Sequence, residues 1–229
     1  MGIRLVAACL WMIAGLLPGY AESVDLPAAT ISKTIEGVEI NFPIAITASR
    51  SDPAQPVTVV VRIDLSDLVA KVDTLIGAVW TKRNIDLGGK LTHNGTLLSI
   101  ESPALRAKVH FHVSPGLVPS SNGSIVAYFE PRVVDGRVAL TGRIAEFNIS
   151  NDITRHAAEA LNLDDLVRDK VGALLDEALS APGASLALPP AVLAFGVSLS
   201  TARFVTIDGK PSLVVEGALP AVAGLLLNL

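Results

Sequence analysis

Beyond residue 30, apolar and polar residues alternate along most of the chain. In 36–48, Val38, Ile40, Phe42, Ile44 and Ile46 share one face. In 57–65, Val57, Val59, Val61, Ile63 and Leu65 oppose Thr58, Arg62 and Asp64. In 104–113, Leu105, Ala107, Val109, Phe111 and Val113 alternate with Arg106, Lys108, His110 and His112. The stretches 136–149 and 195–207 continue in the same style. Period two predicts strands with one dry and one wet face. His-Asn-Gly-Thr (93–96), Ser-Asn-Gly-Ser (121–124), Val-Asp-Gly-Arg (134–137) and Ile-Asp-Gly-Lys (207–210) predict tight hairpin turns, because such pairs tolerate positive φ. Pro131 inside a strand pattern predicts a bulge or an edge.

Two stretches change period. In 66–82, Leu68, Val69, Val72, Leu75, Ile76, Val79 and Trp80 form a helical stripe, with Ser66 in the N-cap position. A second helical pattern follows residue 149, with Ser150 or Asp152 as cap and a break near Asn162; it ends at Pro182-Gly183. Its run 162–180 places Leu163, Leu166, Val167, Val171, Leu174, Leu175 and Leu179 on one side. The predicted fold class is α+β: a curved antiparallel sheet of long hairpins packed on two amphipathic helices.

The first 21 residues fall outside this pattern. Arg4, an apolar run and Gly19-Tyr20-Ala21 read as a secretory signal peptide, with residues 22–229 as one domain. The run Leu5–Leu17 is too short to span about 30 Å of hydrocarbon. Val6-Ala7-Ala8-Cys9 resembles a lipoprotein box, but a cut there would leave most of the apolar run on the product. Removing 21 of the 229 residues leaves 208, without cysteine or methionine, so stability rests on an apolar core rather than disulfides. The expected location is the periplasm or cell envelope.

Charge and candidate chemistry narrow the function. The whole chain carries a net charge of −4, which argues against nucleic acid as a partner. No Gly-x-Ser-x-Gly occurs, and no histidine spacing predicts a catalytic group, so the expectation is a protein that is not an enzyme and uses no cofactor. His110 and His112 share a strand face, but a metal needs further ligands, and none is expected. Arg106, Lys108, His110 and His112 form a cationic row. Arg137 and Arg143 share a face of a later strand. If the two faces coincide, Arg106, Lys108 and Arg143 suit the anionic headgroups of a membrane surface. Trp80, next to Lys82 and Arg83, suits either a core or a membrane interface.

Signal peptide, long hairpins, and an amphipathic helix followed by returning strands together resemble the tubular lipid-binding superfamily, over most of residues 30–217. That resemblance implies a sheet wrapped around the helix 163–179 and an apolar groove between them. Leu166, Val167, Val171, Leu174 and Leu175, with Val109 and Phe111 facing them, would line it. The function expected is non-catalytic binding or carriage of a lipid or other apolar molecule. The alternative is a structural or assembly factor of the envelope, with a filled core and a protein partner.

Overall fold

The computed structural model describes residues 23–52, 55–83, 90–114, 120–150, 152, 155–156 and 196–220. They form two antiparallel sheets and one long helix. Sheet A takes strands β1 (Ser23–Ile35), β2 (Val38–Ser49), β3 (Val57–Asp64), β8 (Ser198–Ile207) and β9 (Lys210–Leu219), in the order β1-β2-β3-β9-β8. Sheet B is a meander of β4 (Lys90–Glu101), β5 (Ala104–Ser114), β6 (Ser121–Val134) and β7 (Arg137–Ile149). Helix α1 (Ser66–Arg83) links β3 to β4. The expected α+β class is thereby corrected: the described fold is mostly β, two antiparallel sheets with a single long helix among the described residues. Period two shows that a strand has a dry face but not what covers it. Leu166, Val167, Val171, Leu174 and Leu175 lie outside the described residues.

The main core forms on the inner face of sheet A. Ile40, Ile44, Val57 and Val61 are buried there at the expected parity, joined by Leu213 and Val215 of β9. Sheet B covers only part of this face. Leu105 and Val138 enter the same core, joined by half-buried Leu98, Ile100, Phe129 and Leu140. These residues lie near the β4–β5 and β6–β7 turns. The far half of sheet B forms a separate cluster of Phe111, Val113 and Ile125, with Trp80, Ile144 and Phe147 against it.

Bulges keep the apolar positions on one face. Register slips occur between Leu26 and Ala29, His93 and Thr96, and Leu199 and Thr201. A fourth leaves Ala145 extra in β7, since Val126 pairs Glu146 and Ala127 pairs Ile144. Each inserted residue reverses the parity of the residues after it. Ile144 and Phe147, three apart, therefore both face inward.

Two of the four expected turns are hairpin turns: Asp135-Gly136 and Asp208-Gly209, all four with positive φ. The other two are corrected. Asn94-Gly95 sits in the β4 bulge, where Gly95 takes φ +114. Asn122-Gly123 lies within β6, paired with His112 and Phe111. The β1–β2 turn uses Glu36-Gly37 instead. Pro131 lies just past Phe129, the last β6 residue paired with β5, so it leaves no ladder bond unmade on that side.

The helix is tied down at its start. Ser66 N–H donates to Asp64 Oδ1 at 2.8 Å, so the capping oxygen comes from Asp64 rather than from Ser66. Asp67 Oδ2 accepts the Asn41 N–H of β2 at 2.7 Å and Lys71 Nζ at 2.8 Å. Burial disfavours the Asp64 charge, but the Ser66 hydrogen bonds and nearby Lys210 and Arg62 outweigh it and hold the carboxyl below its ordinary range. The Lys71 and Asn41 bonds lower that of Asp67. Both groups are more acidic folded than unfolded. Their stabilisation is present above the ordinary aspartate pKa of about 3.9 and is lost as pH falls below it. Thermal melts across that acid range should show a Tm decline that is shallower in Asp64→Asn and Asp67→Asn, each starting from a lower Tm at neutral pH. Parallel curves for wild type and variants would contradict these contacts.

Candidate functional site

The far half of sheet B carries the most distinctive constellation. It starts from a glycine. Phe111 of β5 pairs with Gly123 of β6, and the Phe111 ring lies where a Cβ of Gly123 would stand. The missing side chain lets the ring reach across β6 to Phe147 of β7, with centroids 5.7 Å apart and planes 12° apart. On its other side Trp80 of α1 stacks at 6.4 Å and 20°. His93 of β4 meets Trp80 at 6.1 Å. Aromatic pairs at such separations are each worth about 0.5–1.5 kcal/mol beyond their buried area. Phe111 is 1% exposed, whereas Trp80, Phe147, Ile144 and Val109 are only half-buried.

The β4 bulge clasps the helix beside this column. Thr96 N–H donates to Asp73 Oδ1 at 2.7 Å. His93 Nε2 lies 2.8 Å from Thr96 Oγ1 and 3.5 Å from Asp73 Oδ1. Gly77 gives the imidazole room, since a Cβ there would stand 3.3 Å from His93 Nδ1. Threonine, histidine and aspartate meet here, but both polar contacts use the same ring nitrogen. A relay needs one nitrogen on the nucleophile and the other on the carboxylate. The arrangement fixes a helix to a sheet and has no geometry for nucleophilic catalysis.

The opposite face of sheet B carries the cations. Arg106, Tyr128 and Arg143 are successive cross-strand neighbours, so the faces of β5 and β7 named in the sequence do coincide. The Arg143 guanidinium lies 4.7 Å from the Tyr128 ring centroid. Tyr128 OH donates to Glu101 Oε2 at 3.0 Å, and Arg106 Nε lies 3.4 Å from Glu101 Oε1. Lys108 sits in the next row, between Leu97 and Val126. Val109 and Phe111 point the other way. The apolar and cationic candidates are thus separated by the thickness of one sheet and cannot hold the two ends of one small ligand at a common point.

His110 and His112 share the outer face, and His112 Nδ1 is 3.0 Å from Asn122 Oδ1. Among the described residues no group of three or more metal-ligand side chains occurs, and no helix is long and apolar enough to cross a membrane. Ile144, Phe147 and the His93–Asp73–Thr96 clasp escaped sequence reasoning because two bulges bring them into place. Comparison with family models, curated proteins and solved structures finds no match to this chain.

Gly123→Ala tests the column. The new methyl would meet the Phe111 ring and stand 2.7 Å from the Asn148 carbonyl oxygen. Overpacking of this kind costs about 1–3 kcal/mol, and denaturant unfolding should show that loss. An unchanged midpoint would contradict the placement of Phe111.

Proposed function

We propose that this protein binds or carries a lipid or other apolar molecule, without catalysis, at the far half of the inner face of sheet B. One observation carries the reading. The inner face of sheet A is closed, yet Trp80, Ile144, Phe147 and Val109 form a contiguous apolar surface that is only half-buried. Ligand sites are mostly apolar and aromatic, with a few placed polar groups. The clasp of His93, Thr96 and Asp73 supplies such groups at the rim. The resemblance in element order to the tubular lipid-binding superfamily gives the same class of ligand. The signal-peptide pattern of residues 1–21 supports action in the periplasm or envelope.

The alternative, an envelope assembly factor with a protein partner, draws support from the filled main core and from β1, a 13-residue strand that pairs only β2 among the described residues. Such an edge suits addition of a partner's strand.

Two measurements bear on these readings. Organic extraction and mass spectrometry of the purified protein should recover a stoichiometric apolar molecule. Ile144→Trp should expel it while lowering the stability of ligand-stripped protein by much less than the about 1–3 kcal/mol of an overpacked core. Protein free of any such molecule, with a strongly destabilised variant, would favour the assembly factor. For export, terminal sequencing of envelope protein should read Glu22; an intact Met1 or an acylated Cys9 would refute it.

A further inference from the structure

The outer face of sheet B contains a large apolar side chain where alternation calls for a polar one. Leu97 is 64% exposed, the most exposed large hydrophobic residue among those described. It pairs across β4–β5 with Lys108, which places it on the outer face. One row along, Ser99, Arg106, Tyr128 and Arg143 run across all four strands. At about 4.8 Å per strand, Arg106 and Arg143 stand about 10 Å apart with the phenol between them.

We propose that this face docks on an anionic lipid bilayer, with Leu97 entering the headgroup–acyl boundary and Lys108, Arg106 and Arg143 meeting the headgroups. Peripheral binding of this kind combines buried apolar area with attraction to anionic lipid. The charges fit the partner. On this face the cations Arg106, Lys108, Arg132, Arg137 and Arg143 outnumber the carboxylates Glu101, Glu130 and Glu146, on a chain whose overall charge is −4. Glu101 already engages Arg106 and the Tyr128 hydroxyl. Tyr128, apolar in body and polar at its tip, suits the same boundary. The surface lies on the opposite side of the sheet from the aromatic column, so docking leaves that column uncovered by the bilayer.

Co-sedimentation of the full protein with vesicles provides the test. Vesicles of phosphatidylglycerol and phosphatidylcholine should bind it, pure phosphatidylcholine vesicles far less, and high salt should release it. Lys108→Glu with Arg143→Glu should weaken binding more than tenfold. The milder pair Lys108→Gln and Arg143→Gln should lose several-fold, which guards against a reversed pair that does not fold. Leu97→Ser should lose about tenfold, as expected for a leucine withdrawn from an apolar phase. An equal charge change on the outer face of sheet A, Arg203→Glu with Lys210→Glu, should leave binding within twofold of wild type. No binding by wild type, equal loss in the sheet A pair, or full binding by Leu97→Ser would each overturn the proposal.

Discussion

Two aspartates on one helix hold the two sheets in relation to each other. Asp67 accepts a main-chain N–H from β2 of sheet A, and Asp73 accepts one from β4 of sheet B, each at 2.7 Å. Hydrogen bonds to a charged acceptor are stronger than neutral ones, and a backbone donor cannot move without moving its strand. The helix is thus fixed at two points. Leu68 and Leu75 then fall against the main core, and Trp80 falls on the far cluster.

That geometry divides sheet B in two. Its near half is shared with sheet A; its far half carries the aromatic column on the inner side, with Trp80 of the helix packed against it. Gly123 and the Ala145 bulge are the local devices. One removes a side chain so that Phe111 can lie across a strand, and the other turns Phe147 inward beside Ile144. Strict alternation then places every cation of β5 on the outer side. A single sheet thereby separates an apolar contact surface from a charged one.

Much of the sheet structure was legible in the residues, and its failures have specific causes. The alternation in 38–48 and 57–65 identifies the buried residues of β2 and β3 correctly, because neither strand bulges between those limits. In β7 the reading through Arg143 holds, but Ile144 to Phe147 breaks phase, and a uniform alternation hides both. That phase slip is itself a signal: Leu140, Gly142 and Ile144 share one parity, while Phe147 and Ile149 take the other. Asn-Gly pairs at 94–95 and 122–123 read as turns because positive φ and the absence of a side chain give the same letters. The early helix was plain from its stripe. That its carboxylates reach two different sheets was not, because hydrogen bonds to distant main chain leave no spacing in the sequence. The cationic row was visible on β5, whereas its continuation through Tyr128 to Arg143 depends on register.

Trp80 belongs to the apolar surface proposed as the binding site. In the chain without residues 1–21, Trp80 is the sole tryptophan. Its fluorescence can be titrated with a brominated fatty acid, since bromine quenches tryptophan emission at contact range. Saturable quenching, reversed by the unbrominated acid, is the result expected. Trp80 emission unchanged throughout the titration would contradict it and leave the far half of sheet B as ordinary packing.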